Sequence, residues 1–222
     1  MGKDEYCPEG SDDAVNEPGE YRYPSDCELT QALLEKARNR NKPVMRSEQW
    51  QKVLPRAKEV QLLLLDVDGV LTDGTITYTH GGDELKGFNT QDGFGLGLLR
   101  EAGVDVGLIT ARTSEAVTRR ASDLRIKYVF QGARDKNNVY EDILVQSGLR
   151  PIQTAYMGDD WLDLHLLGRV GFAAAPSNAV PEVLQRVHYV TSRSGGKGAV
   201  REVCELILEA RGVLATIFKQ FT

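Results

Sequence analysis

The sequence predicts an α/β fold: a doubly wound, mostly parallel sheet with helices on both faces. Three observations carry that expectation. The segment VQLLLLDV (60–67) is apolar without alternation, as in a strand covered on both faces. From Val60 onward, short apolar segments alternate with helical patterns, the order expected of a parallel sheet with crossover helices. Several of those apolar segments end in polar residues of complementary kind, and ligands of such sheets bind at the strands' carboxyl ends.

The elements follow in order. TITYT and ELKGFN flank HGGD, which reads as a β-hairpin with glycines in its turn. DGFGLGLLREAG is a helix ending at Gly103, and VDVGLIT is the next buried strand. TSEAVTRRASDL is a helix with Thr113 or Ser114 as its N-cap. The alternation continues through KYVFQG, KNNVYEDILVQSG, TAYMGD and WLDLHLLGRVG. FAAA, a helix near 179–186, HYVT and a final helix from about Gly198 complete it. The glycines of DGFGLG fail the spacing of a nucleotide loop, so they read as close helix packing. The result is a Rossmann-like sheet with a small hairpin insertion and no cap domain.

Three regions differ in composition. Residues 1–27 hold Pro8, Pro18 and Pro24 among scattered acidic groups with almost no aliphatic pattern, so this stretch reads as a disordered acidic tail. Residues 28–58 read as a helical, basic extension. Leu29, Ala32, Leu33 and Ala37 carry helical spacing, and Ser47 with Glu48 opens a second helix that Pro55 is expected to kink or shorten. Residues 31–60 carry eight Lys or Arg against three Glu, read as a solvated face. Residues 59–222 read as the α/β domain. A net charge of −5 argues against nucleic-acid binding, and no apolar run approaches the roughly 18–20 residues of a membrane span. Cys7, Cys27 and Cys204 form no CxxC, which suits free thiols in a reducing cytoplasm.

The polar strand ends are specific. The first core strand ends in Asp66-Val67-Asp68, VGLIT ends in Thr110 with Arg112 two residues on, Lys136 opens a helix, and AYMG leads into Asp159-Asp160 with Asp163 following. Converging, these ends supply carboxylates for a hard cation such as Mg²⁺, a hydroxyl and an ammonium, a setting for a dianionic phosphate. DVDGVLTDG, LIT, Lys136 and GDDWLD resemble, in order, the four motifs of the haloacid dehalogenase superfamily of phosphotransferases. GDELKGFNTQDGFG, ITAR and GGKGAVREVCELIL narrow the resemblance to the 3-deoxy-D-manno-octulosonate 8-phosphate (Kdo 8-phosphate) phosphatases and related phosphatases of nine-carbon 2-keto sugar acid 9-phosphates. The sequence departs from that family at Ala111, where glycine is usual, and in residues 1–47, which such compact phosphatases generally lack.

The resemblance implies roles. Asp66 is expected as the nucleophile that forms an aspartyl-phosphate, and Asp68 as general acid and then base. Mg²⁺ falls to Asp66, the Asp68 backbone carbonyl and Asp159, with Asp160 and Asp163 supporting them from behind. Thr110 and Lys136 hold the phosphoryl oxygens, while Lys86 and Arg112 are candidates for the sugar carboxylate. His80, His165 and His188 read as structural or solvated. Between Asp73 and about Asp92 lies only the hairpin, and between Thr110 and Lys136 only one helix and one strand, so neither gap holds a cap. An open site invites closure by another subunit. The resemblance implies a homotetramer in which hairpins pack together and Lys197 reaches a neighbouring site. The expected protein is thus a cytoplasmic, Mg²⁺-dependent phosphatase of a 2-keto-3-deoxy sugar acid phosphate. A phospho-accepting, receiver-like signalling module also uses Asp, Thr and Lys at strand ends, but its acidic pair precedes the phosphorylated Asp. A non-catalytic scaffold would not need all four motifs.

Overall fold

The computed structural model describes residues 24–39 and 45–221; the expected acidic tail lies outside these but for its last residues, of which Asp26 and Cys27 begin a helix. The chain divides into two units, Met1–Met45 and Arg46–Thr222. In the first, α1 (Asp26–Asn39) is opened by a Ser-x-x-Glu box: Ser25 N–H donates to Glu28 Oε2 at 2.6 Å, and Ser25 Oγ accepts from Glu28 N–H at 3.3 Å.

The second unit begins with α2 (Glu48–Lys58). Ser47 caps it, accepting from Trp50 N–H at 3.1 Å, and the helix continues through Pro55 to Lys58 rather than stopping there. Trp50, Val53 and Ala57 are buried in the same core as the sheet, so α2 belongs to this unit rather than to the extension. The remaining elements are β1 (Leu62–Leu65), the hairpin β2 (Thr77–Tyr78) and β3 (Glu84–Leu85), α3 (Thr90–Glu101), β4 (Asp105–Ile109), α4 (Glu115–Asp123), β5 (Tyr128–Phe130), α5 (Lys136–Ser147), β6 (Thr154–Met157), α6 (Leu164–Leu167), β7 (Phe172–Ala175), α7 (Pro181–Leu184), β8 (Tyr189–Val190), α8 (Ala199–Ala210) and α9 (Leu214–Phe218). The short α9, set off from α8 by Gly212, is an element the sequence reading had not separated from the final helix. Ser114 does stand at the N-cap of α4, but its side chain makes no capping hydrogen bond.

Six strands form one sheet in the order β5-β4-β1-β6-β7-β8, every pair parallel, with β2 and β3 as a separate antiparallel pair. Leaving the hairpin aside, that is the 3-2-1-4-5-6 order of a doubly wound dinucleotide-type sheet, not the 2-1-3-4-5 order of a receiver-like fold. β1 explains its own composition. Leu63 and Leu65 enter the core beneath α2, α3, α4 and α8, whereas Leu62 and Leu64 enter the core beneath α5, α6 and α7. Both faces are covered, so alternation has nothing to mark. The DGFGLG glycines do serve packing: a Cβ on Gly95 would stand 3.3 Å from the Arg201 backbone and 3.2 Å from Cys204 Cβ. The strand order reverses between β1 and β6, where such folds open a crevice at the strand ends.

Candidate active site

The sheet ladder extends one residue beyond the strands and so fixes the residues that follow. Asp66 N–H donates to Met157 O at 3.0 Å, and Thr110 N–H to Phe130 O at 3.0 Å. The carbonyl of Asp159 accepts from Val180 N–H at 2.9 Å, tying the end of β6 to the start of α7. Asp66, Thr110 and Asp159 therefore sit on main chain that the core holds still. Lys136 is the first residue of α5, whose N-cap Asp135 accepts from Asn137 N–H at 3.0 Å.

Three side chains close around a buried ammonium. Lys136 Nζ lies 3.0 Å from Asp66 Oδ2 and 2.7 Å from Asp163 Oδ1, and donates to Tyr156 Oη at 3.1 Å. Tyr156 Oη donates in turn to Asp163 Oδ1 at 2.5 Å. The other oxygen of Asp163 accepts from Asp159 N–H at 2.9 Å and Asp160 N–H at 3.1 Å. Asp163 is fully buried and all its contacts are internal, so it orients Lys136 and the turn carrying Asp159. Asp160 is exposed and accepts from Trp161 N–H at 2.7 Å, capping the 3-10 turn Trp161–Asp163. Tyr156, which the sequence reading did not single out, completes this network. Its signal was a hydroxyl in an otherwise apolar strand, since a buried tyrosine needs a partner for its Oη.

Carboxylate oxygens of Asp66, Asp159 and Asp163 lie within 4.8 Å of one another, a grouping able to hold a metal ion. Burial pushes Asp66 up to about 6, against the lowering effect of the Lys136 charge. Burial, and then the charges of Asp66, Asp163 and Asp160, push Asp159 up to about 7. For Lys136, burial is outweighed by Asp66 and Asp163, which hold its pKa above the usual lysine value. Asp159 Oδ1 is buried with no hydrogen-bond partner among the described residues. An unpartnered carboxylate oxygen beside a second crowded carboxylate fits a hard divalent cation, which takes oxygen ligands and relieves both costs. Gly69, with φ +87°, makes room for it: a Cβ there would collide with the Asp159 carboxylate.

Thr110 is buried, and its Oγ1 accepts from Arg112 N–H at 3.3 Å, which leaves its own proton to donate. Asp68 is not a member of the three-carboxylate group. Its Oδ1 contacts Lys86 Nζ, and its Oδ2 lies 3.8 Å from Arg112 Nε. Glu84, which the sequence reading did not single out, meets both cations: Lys86 Nζ at 2.8 Å and Arg112 at 2.5 Å. Those two contacts hold its carboxyl below the usual range. Lys197 stands apart on the surface, 3.9 Å from Asp73 of its own chain. The GGKG segment is nonetheless built into this site's wall, with Gly196 N–H donating to Val70 O at 3.0 Å and Gly195 N–H to Asn178 Oδ1 at 2.8 Å. His80 and His165 are exposed, and His188 Nδ1 accepts from Ala173 N–H at 2.9 Å, a structural role.

No protein-family model matches the chain. Individual proteins do. It is 43% identical over 162 residues to the 3-deoxy-D-manno-octulosonate 8-phosphate phosphatase KdsC of Yersinia pestis, covering 73% of this chain and 87% of that one. The Escherichia coli K12 KdsC is 41% identical over 162 residues, covering 73% of this chain and 86% of its own. Among solved structures, the Moraxella catarrhalis 3-deoxy-D-manno-octulosonate 8-phosphate phosphatase, crystallised with magnesium, phosphate and KDO, superposes with a TM-score of 0.76 at 38% identity, covering 78% of this chain and 99% of that one. This chain belongs to the 3-deoxy-D-manno-octulosonate 8-phosphate phosphatase family of the haloacid dehalogenase superfamily.

Proposed function

We propose that the chain is a Mg²⁺-dependent phosphatase that hydrolyses Kdo 8-phosphate to Kdo and phosphate through an aspartyl-phosphate. The observation that carries this reading is the pairing of Asp66, held by Lys136, with an Asp159 oxygen left without a partner. Asp66, Asp159 and the Asp68 carbonyl would hold Mg²⁺, which when bound offsets the negative charge of the phosphoryl oxygens.

The chain's own residues account for the rest. A carboxylate oxygen of Asp66 attacks phosphorus, and the bond from phosphorus to the sugar oxygen breaks. Asp68 delivers its proton to that departing oxygen. The Asp68 carboxylate next takes a proton from water, whose oxygen attacks the aspartyl-phosphate, releasing phosphate and restoring Asp66. Lys136 and the Thr110 hydroxyl neutralise and hydrogen-bond the phosphoryl oxygens as charge develops. Asp163 and Tyr156 keep Lys136 aimed, and Asp160 caps the turn behind them.

The same reading includes a cytoplasmic homotetramer. Among the described residues no helix is long and apolar enough to cross a membrane. The hairpin and the loop before it display Ile76, Tyr78 and Leu85 at the surface, an apolar face suited to packing against another copy. Lys197 is exposed and held only by a loose pair with Asp73, which suits a role at a neighbouring site. The deciding experiment measures phosphate release from Kdo 8-phosphate and from a nine-carbon 2-keto sugar acid 9-phosphate, with Mg²⁺ and with EDTA. Mg²⁺-dependent release with preference for the eight-carbon ester is expected. Preference for the nine-carbon ester would move the substrate, and no release from either would overturn the reading. Light scattering should give four chains per particle; an active monomer would remove the tetramer.

A further inference from the structure

The hairpin spacing Glu-Leu-Lys places residues 84 and 86 on one side of β3 and Leu85 on the other, because successive strand side chains alternate. Leu85 is exposed accordingly. Tyr78 pairs across the hairpin with Glu84, and its hydroxyl also reaches Arg112, at 3.5 Å. On the inner side, the side chain of Lys86 is only 1% exposed, its ammonium shared between Asp68 and Glu84. That ammonium is enclosed between two carboxylates of its own chain. Arg112 differs. Its side chain is 41% exposed, and its Nε is buried with no hydrogen-bond partner among the described residues. Lys86 is taken up by Asp68 and Glu84, so of the two cations an incoming carboxylate meets the exposed guanidinium of Arg112.

We propose that Glu84 is a positioning residue: one carboxylate oxygen anchors Lys86, which fixes Asp68 toward the leaving oxygen, while the other aims Arg112, the one cation of the pair offered to the sugar carboxylate. Lys86 is thereby moved from sugar recognition to alignment of the proton donor. The inference rests on the phosphatase reading above. The unmodified enzyme tests that reading first, by Mg²⁺-dependent hydrolysis of Kdo 8-phosphate, glycerol 3-phosphate and p-nitrophenyl phosphate. Only the variants test Glu84.

Glycerol 3-phosphate has no carboxylate and a leaving oxygen that needs a proton; the nitrophenolate of the second ester departs without one. Lys86→Met and Glu84→Gln should each lower kcat/KM for glycerol 3-phosphate by about tenfold or more, since misplacing a catalytic group by about 1 Å costs on the order of 10²-fold. The loss on p-nitrophenyl phosphate should stay below about threefold, and KM for Kdo 8-phosphate should shift little in Lys86→Met. Arg112→Met should raise KM for Kdo 8-phosphate far more than for glycerol 3-phosphate. Glu84→Asp, with its shorter reach, should recover only part of the loss. Equal losses on both carboxylate-free esters would mark a merely structural effect and overturn the proposal. A Lys86→Met defect confined to Kdo 8-phosphate would make Lys86 a sugar ligand, and no defect on any ester would remove the role altogether.

Discussion

Asp66 and Thr110 follow directly on strands buried on both faces, Asp159 comes one glycine after a third, and the Lys136 ammonium is closed off from solvent. Glu84 and Lys86 instead ride on a hairpin with two paired residues per strand, its outer side chains open to solvent. The phosphoryl half inherits its rigidity from the sheet. The hairpin must make its own, and does so with a chain of alternating charges running Asp68, Lys86, Glu84, Arg112. On the proposed roles, the nucleophile and its buried ammonium sit on the core, while the hairpin supplies the groups that align Asp68 and aim Arg112.

The contrast can be broken at either end. The largest effect belongs to the phosphoryl half: with Asp66 as the proposed nucleophile, Asp66→Asn should reduce phosphate release by at least about 10³-fold. Substantial residual turnover would mean the nucleophile lies elsewhere. Next comes Lys136→Met, which removes one member of a buried pair and leaves Asp163 uncompensated. It should abolish most activity and cost about 3–5 kcal/mol in urea unfolding. Adding Asp163→Asn should recover part of the stability but none of the activity.

A third test is the pH dependence of the metal effect. Folding raises Asp66 to about 6 and Asp159 to about 7 from an ordinary 3.8, chiefly through burial. A carboxyl whose pKa rises on folding binds its proton more tightly in the folded chain, so its contribution to stability declines as pH climbs from about 4 to about 7. A cation between the two carboxylates removes that decline. The increase in Tm on adding Mg²⁺ should therefore be small at pH 5 and greatest near pH 8, by scanning fluorimetry. An increase independent of pH would place the cation elsewhere. The smallest effect is that of Lys197→Ala. Its pair with Asp73 is exposed and loose, so Tm should not move, while KM for the sugar acid should rise about threefold if Lys197 serves a neighbouring copy. An unchanged KM would confine it to the surface.

The phosphoryl half was legible in the sequence because its residues are punctuation. An apolar run that stops at Asp-Val-Asp, or at Gly-Asp-Asp, announces a strand end at which polar groups are exposed. The partners of those residues were less visible. Tyr156 lay inside an apolar strand, and only its hydroxyl distinguished it from core. Glu84 meets Arg112 across 28 positions of sequence, a contact made by the hairpin folding over the strand end and by nothing local. Helix α2 was read as part of an extension because its basic surface dominates its composition. Trp50, Val53 and Ala57, spaced at i, i+3 and i+7, were the sign that one face is buried.

Gly195 and Gly196 press against the turn that follows Asp66. A Cβ on the first would collide with the Gly69 carbonyl, and one on the second would stand 2.6 Å from Asp73 N. Asp92, at the start of α3, reaches the same region, accepting from Gly198 N–H at 3.3 Å and Arg201 N–H at 2.7 Å. During synthesis, at about 5–20 residues per second, Asp66 leaves the ribosome several seconds before these glycines do. For that interval the turn after the nucleophile has no outer wall. The loop bearing Asp68 is therefore completed from behind, by a segment that lies far later in the chain.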